Sequence, residues 1–235
     1  MQTLKLDVNS ISGQGKEMKI KNIDLEYITA ESNLLSIGDF EPLDIKINCS
    51  EFSNEIDKFN NDWVDYLPRP DRANNRKAIT LFNYPGWGHA KNPSMPESIK
   101  EIGRLMSELE FNEKTDAYYG LPSLHTLLDK FQILGRTFIV NCGIGGYFVP
   151  HRDHPTYPRE VFRLVCFLKN CETYDYDWLI DDKKINIEQG RVYYVNTRRM
   201  HRTISWVQDS MHLILNVPFN TNNINTVLKH LHHRH

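Results

Sequence analysis

The sequence predicts a mainly β protein, an antiparallel sandwich or small barrel flanked by helices. Three observations lead there. From Arg136 onward, short runs of β-type residues recur about every 10 residues, with turn residues between them and no helical pattern. The 3.6-residue patterns are confined to the part of the chain ahead of that region. The 235 residues are 40% apolar, 25% charged and 11% aromatic, which suits one globular domain with a sizeable core and excludes a disordered chain.

In chain order, residues 1–75 are rich in Asn, Asp, Lys and Ser and read as an N-terminal elaboration packed on the core. Within it, the alternation of residues 18–27 suits a half-exposed strand. A helix is expected over 50–67, with Phe52, Ile56, Phe59 and Trp63 on one face and the turn Pro68-Arg-Pro-Asp closing it. Residues 76–220 form the expected main domain. It opens with a strand over 77–83, and Ser94 with Glu97 signals a capping box for a helix to about Glu110. Leu121-Pro-Ser starts another helix to about Leu134. The strands expected next are 137–142, 147–153, 162–168, 185–187, 192–196, 201–206 and 212–217. Residues 221–235 read as a C-terminal tail that carries four of the ten histidines and has nothing to fix a metal geometry.

Charge and cysteine usage narrow the function classes. Lys and Arg (28) nearly balance Asp and Glu (30), so no global field draws nucleic acid or an anionic membrane. There is no apolar run long enough to span a bilayer, and the first residues lack a signal-type apolar stretch. Cys49, Cys142, Cys166 and Cys171 form no CxxC pair and read as reduced, mostly buried thiols, so a cytoplasmic location is expected.

The segment that carries chemistry is Gly145-Gly-Tyr-Phe-Val-Pro-His151-Arg-Asp153-His-Pro. On an extended strand i and i+2 share a face, so His151 and Asp153 converge while Arg152 turns away. A second strand begins at His201, and a neighbouring strand of a barrel can bring that imidazole to the same point. Two imidazoles and one carboxylate on one face of a metal leave positions open, an arrangement that suits a non-haem Fe(II) oxygenase. The spacing HxD is weak alone; its placement between strands, after a glycine turn and ahead of a strand-borne His, gives it weight. Gly143-Ile-Gly-Gly is followed by an extended strand and not by a helix N-terminus, which excludes a phosphate loop.

With these residues in place, the stretch from about Arg136 to Pro218 resembles the double-stranded β-helix of Fe(II)- and 2-oxoglutarate-dependent dioxygenases, in the aspartyl/asparaginyl β-hydroxylase-like branch that includes amino-acid prolyl hydroxylases. The matching features are the His151-Arg-Asp153 strand, Arg163-Leu-Val-Cys-Phe-Leu, Gly190-Arg-Val-Tyr-Tyr-Val leading to His201, and the pair from Trp206 through His212-Leu-Ile-Leu. The resemblance implies a jelly-roll, cupin-like core, with Fe(II) on His151, Asp153 and His201. It further implies 2-oxoglutarate as co-substrate, O2 as oxidant, and hydroxylation of an amino-acid side chain, free or in a peptide. Only about a third of the chain is covered, and residues 1–75 match nothing in it.

The family usually holds the remote carboxylate of 2-oxoglutarate with an Arg at the position where this sequence has His212. Parity turns Arg202 away from His201. Arg163 lies in an otherwise apolar strand, where a buried cation requires an anionic partner: the co-substrate carboxylate or an internal Asp or Glu. Arg163 is therefore the leading candidate for that carboxylate. His212 and Asn216 share a face of the last strand and can complete the same pocket, although His212 also reads as a core histidine. Asn141 can hydrogen-bond co-substrate or substrate, or be structural. Two other readings remain open: a cupin-type metalloprotein that does not use 2-oxoglutarate, and a non-catalytic binding module on the same barrel. Substrate identity and oligomeric state have no readable signal.

Overall fold

Two nine-residue strands, Val161–Lys169 and Ser210–Pro218, are apolar and buried along nearly their whole length, and they pair antiparallel at the centre of an eight-stranded sheet. The computed structural model describes residues 25–67, 75–132, 134–153 and 160–231. Its elements are α1 (Leu25–Ser36), β1 (Phe40–Lys46), α2 (Cys49–Ile56), β2 (Val64–Asp65), β3 (Arg76–Asn83), α3 (Met95–Ile102), β4 (Glu113–Lys114), α4 (Asp116–Gly120) and α5 (His125–Leu128). There follow β5 (Thr137–Cys142), β6 (Tyr147–His151), β7 (Val161–Lys169), β8 (Tyr176–Ile180), β9 (Lys183–Lys184), β10 (Arg191–Val195), β11 (His201–Ser205), β12 (Ser210–Pro218) and α6 (Thr221–Lys229).

The large sheet has the order β1-β10-β7-β12-β5-β3-β2, with β4 on β3, and the small sheet the order β6-β11-β8-β9. From β5 to β12 the chain passes repeatedly between the two sheets. The fold is a double-stranded β-helix, or jelly roll.

Side-chain alternation builds two cores from the same strands. Phe162, Leu164, Cys166 and Leu168 of β7 and Met211, Leu213, Leu215 and Val217 of β12 face the helices, where Leu34, Phe52, Ile56, Leu127 and Val227 meet them. The opposite face of the large sheet carries Phe138, Val140, Val165, Phe167, Val195 and Ile214, packed on Tyr176, Trp178 and Ile180 of the small sheet. A cavity opens within this second, inter-sheet core.

Several expected elements differ. Residues 18–24 of the expected strand lie outside the described residues, and its last three begin α1. The helix expected over 50–67 stops at Ile56. Asn48 caps its start by accepting from the Ser50 and Glu51 amides, a 3-10 turn over Asp57–Phe59 follows, and Asn60-Asn-Asp supplies side chains that compete for backbone hydrogen bonds. Phe52, Ile56 and Phe59 still share one core, with Trp63 against it. The turn at Pro68 lies outside the described residues.

The helix expected to reach Glu110 ends at Ile102, because Gly103 adopts φ 77° as a left-handed cap. Ser94 caps it without a side-chain hydrogen bond; the reciprocal capping box is formed by Ser107 and Glu110. The helix expected over 121–134 is instead α4, a 3-10 turn at Pro122–Leu124, and α5. No strand forms at 185–187; β8 occupies the sheet position ahead of it. Residues 232–235, with three of the terminal histidines, lie outside the described residues.

Candidate metal centre

Strand β6 ends at His151 and β11 begins at His201, and these two residues are direct partners in the antiparallel ladder. The turn that feeds β6 needs glycine: Gly145 has φ 74°, and a Cβ on Gly146 would lie 2.8 Å from the Asn75 carbonyl oxygen. Asp153 sits two residues past the end of β6, where its amide donates to the Thr197 carbonyl at 2.9 Å. The strand is thus shorter than expected, yet the three side chains converge. Their candidate ligand atoms lie within 4.8 Å of one another, the one such group of three or more found among the described residues.

The remaining contacts orient the rings. His151 Nδ1 donates to the Val149 carbonyl at 2.7 Å and His201 Nδ1 to the Arg199 carbonyl at 3.0 Å. A carbonyl only accepts, so each Nδ1 holds the hydrogen and each neutral Nε2 presents a lone pair inward. His151 Nε2 is 3.4 Å from Asp153 Oδ1, and His201 Nε2 is 3.8 Å from Oδ2. Two lone pairs and a carboxylate facing one another call for a cation. The donor set therefore fits a divalent metal. Trp178 stacks on His201, with centroids 6.2 Å apart and planes at 12°.

The titration behaviour agrees. Burial alone would raise the Asp153 pKa, but the Arg163 charge, with His151 and His201 beside it, outweighs the burial and holds the carboxyl well below the usual range. Burial works against charge on His151, but a protonated Nε2 would face the Asp153 carboxylate, and that attraction outweighs the burial, so its pKa is raised. His201 is lowered, first by burial and then by the neighbouring His151.

Arg163 is engaged inside the protein. Its Nη1 bonds to Asp153 Oδ2, and its Nε and Nη2 donate to Asn216 Oδ1 at 3.2 and 3.0 Å. Asn216 in turn donates to Glu108 Oε2 at 3.2 Å and to the Arg136 carbonyl. Glu108 and Arg136, 4% and 5% exposed, form a two-point pair at 2.7 and 2.8 Å, and Arg136 also donates to the Pro93 carbonyl. The internal anion that was the alternative partner for Arg163 is thus Asp153. Glu108 and Arg136 were not singled out from sequence; the signal available was an Arg directly ahead of an apolar strand.

A cavity of about 450 Å³ runs from the triad between the sheets. Glu108, Arg136 and Arg163 line one side, and Leu67, Met95, Pro96 and Ile99 give it an apolar wall. Trp178, Thr203 and His212 line it on the inter-sheet side. His212 is 1% exposed and lies among Phe148, Phe167, Tyr176 and Trp178; burial and the Arg76 charge push its pKa down to about 3. Asn141 is not brought to the cavity: its amide donates to Asp209 at 3.2 Å. Arg202 points outward to Asp182, as parity requires. His154 lies outside the described residues.

Sequence comparison gives no neighbour: no protein-family model and no curated protein matches the chain. Solved structures give loose likenesses. A prolyl hydroxylase from Trichoplax adhaerens, in complex with a hypoxia inducible factor oxygen degradation domain peptide fragment, is 11% identical and aligns over 84% of this chain and 92% of its own, at a TM-score of 0.47. A Pseudomonas putida prolyl-4-hydroxylase is 10% identical over 83% of this chain and 100% of its own, at 0.43. An RmlC-like cupin protein from Desulfovibrio desulfuricans is 17% identical over 35% and 71%, at 0.29. At these scores the reading of the site rests on its own geometry. Among the described residues no helix is long and apolar enough to cross a membrane.

Proposed function

We propose that the protein is an Fe(II)- and 2-oxoglutarate-dependent dioxygenase that hydroxylates an amino-acid side chain, free or within a peptide, in the aspartyl/asparaginyl β-hydroxylase-like branch that its motifs resemble. The observation that carries this reading is the convergence of two imidazole Nε2 atoms, each fixed by a carbonyl on its Nδ1, with one buried carboxylate at the wall of a cavity. Iron(II) and 2-oxoglutarate bound there supply the chemistry by which O2 converts a C–H bond to C–OH while the co-substrate leaves as succinate and carbon dioxide.

The chain's own residues position and exclude. His151, Asp153 and His201 would hold the metal at the wall of the cavity, where co-substrate and O2 would have access to it. Arg163 fixes the Asp153 carboxylate and is a positioning residue. Within the cavity wall the charges of Asp153 and Arg163 cancel, as do those of Glu108 and Arg136. A dication and a dianionic co-substrate add no net charge, so the reacting part of the substrate is expected to be uncharged and to rest on Leu67, Met95, Pro96 and Ile99.

The pairing of Arg163 and Arg136 with internal carboxylates favours one second reading, a metalloprotein that uses the triad without 2-oxoglutarate. Anaerobic titration with Fe(II) and then 2-oxoglutarate separates the two. The dioxygenase reading expects a visible metal-to-ligand band that is lost in His151→Ala. Well-folded protein that binds Fe(II) without developing the band on adding 2-oxoglutarate overturns it.

A further inference from the structure

The turn between β10 and β11, residues 196–200, touches two of the three candidate ligands. Its Thr197 carbonyl accepts from the Asp153 amide at 2.9 Å, and its Arg199 carbonyl accepts from His201 Nδ1 at 3.0 Å. Asn196 shapes the turn: its carbonyl accepts from the Arg199 amide at 3.0 Å, and its side-chain oxygen from the Arg198 amide at 3.2 Å. From the small sheet, the Asp181 amide donates to the Met200 carbonyl at 2.8 Å.

The turn is also held by a segment far away in the chain. Asp39, just ahead of β1, accepts from the Asn196 amide at 2.9 Å through its carbonyl and from Asn196 Nδ2 at 2.8 Å through Oδ1, and its Oδ2 meets Arg199 Nε at 3.3 Å. Glu31 of α1, 5% exposed, meets Arg198 at 3.1 Å. Thr197 lines the cavity, whereas Glu31, Asp39 and Asn196 do not.

We propose that Asp39 is a positioning residue of the metal centre, acting through Asn196 on the turn whose carbonyls orient Asp153 and His201. The segment from α1 to β1, which the sequence resemblance does not reach, thereby becomes part of the metal-binding apparatus. The inference rests on the metal centre of the dioxygenase reading and is independent of the co-substrate.

Burial decides which contact of Asp39 matters. The Asp39 and Arg199 side chains are 44% and 50% exposed, and an ion pair so open to water contributes little. Asn196 is 7% exposed, so its side-chain amide needs partners inside the protein. With Asp39 as acceptor, the Nδ2 side is satisfied and the Oδ1 side is left for the Arg198 amide. Without it, the Asn196 amide seeks another partner at the expense of the bond that shapes the turn. The Thr197 and Arg199 carbonyls then lose their fixed places, and the ligands they orient must be ordered by the metal itself, which weakens binding.

The test is titration of the full chain with Co(II), in competition with a chelator, because the visible bands of this ion report the geometry of its ligands. Asp39→Ala removes the acceptor from Asn196. Asp39→Asn keeps an acceptor there and removes the charge that faces Arg199. Lys46→Ala breaks a different contact of β1 with the body, the pair with Glu188, and is the control. Asp39→Ala is expected to weaken Co(II) by about three- to tenfold, below the roughly ten- to hundredfold of a group bonded directly to a ligand, and to shift the visible bands at saturation. Asp39→Asn and Lys46→Ala are expected to keep the wild-type bands and an affinity within about twofold of wild type, since each loses only an exposed ion pair.

Wild-type affinity in Asp39→Ala overturns the proposal. So does an equal loss in Lys46→Ala, which traces the effect to a loosened β1, or in Asp39→Asn, which traces it to charge. The expected pattern in a protein that develops no band with Fe(II) and 2-oxoglutarate supports the role of Asp39 while the dioxygenase reading falls. A wild-type protein that binds no Co(II) overturns both.

Discussion

Arg163 bonds to the carboxylate of Asp153, the one anionic member of the candidate metal centre, and the two side chains are 12% and 16% exposed. A cation of the protein therefore stands against the group that a metal would use. Removing one partner of such a buried pair leaves the other uncompensated, which typically costs about 3–5 kcal/mol. Arg163→Met is expected to lower the melting temperature of the metal-free protein, and Mn(II) is expected to stabilise this variant more than the wild type, because the metal replaces the lost charge. Thermal melts with and without Mn(II) check this; equal metal-induced shifts in the two proteins would count against it.

The pH dependence of metal binding follows from the same triad. Both imidazoles must be neutral to ligate. His151 titrates above the ordinary value of about 6.5 and His201 below it. Between the two, binding releases one proton, so affinity should rise about tenfold per pH unit there, flatten above the His151 value, and steepen below that of His201. In the metal-free protein the signs differ by group. Asp153, depressed by its partners, contributes stability that is present above about pH 4 and lost as pH falls toward its folded value. His151, raised, contributes stability below about pH 6.5 that is lost as pH rises through its folded value. Mn(II) titration across pH 5 to 8 reads the first effect directly, and a flat profile would refute the assignment of the two histidines.

The sequence made the triad legible because its signal is local. His151 and Asp153 are two residues apart, and a strand-borne His201 needs only a neighbouring position in a barrel. The inter-sheet strands were legible for a similar reason, since alternation on β7, β10 and β12 marks two buried faces. Parity showed that Arg163 faces inward, but it does not name a partner, and the carboxylate it meets sits on a bend past the end of β6. The Glu108–Arg136 pair joins side chains 28 residues apart and has no periodic signature. Trp178 was missed with its strand, because Asp175 and Asp177 interrupt the apolar run whose buried face is Tyr176, Trp178 and Ile180. The helix ends depended on single residues, the left-handed Gly103 and the caps at Asn48 and Ser107.

The Glu108–Arg136 pair anchors the apolar wall as well as the charge balance, because Arg136 also holds the Pro93 carbonyl just ahead of α3. Glu108→Leu and Arg136→Met should each destabilise the fold by about 3–5 kcal/mol, while the double variant should lose less than the sum, since no lone charge stays buried. Urea denaturation of the four proteins measures the coupling. Strict additivity would show that the two side chains do not act as a pair.

Thiol reactivity gives a check on the core that is independent of the metal. Cys142, Cys166 and Cys171 are fully buried, and burial pushes the Cys142 thiol up to about 12 and the other two well above the ordinary range. Cys166 and Cys171 also face the Gly190 and Met211 carbonyls, at 3.5 and 3.3 Å, which favours the protonated form. Cys49 is partly exposed, and its pKa is raised by burial and then by Glu172. The thiolate is the reactive form, so an aromatic disulfide reagent at neutral pH should modify at most Cys49, slowly, in the native protein, and all four thiols once the chain is unfolded. Three thiols protected until denaturant crosses the unfolding transition would place Cys142, Cys166 and Cys171 in the cooperative core; rapid native modification of more than one would contradict the packing of β5, β7 and β12.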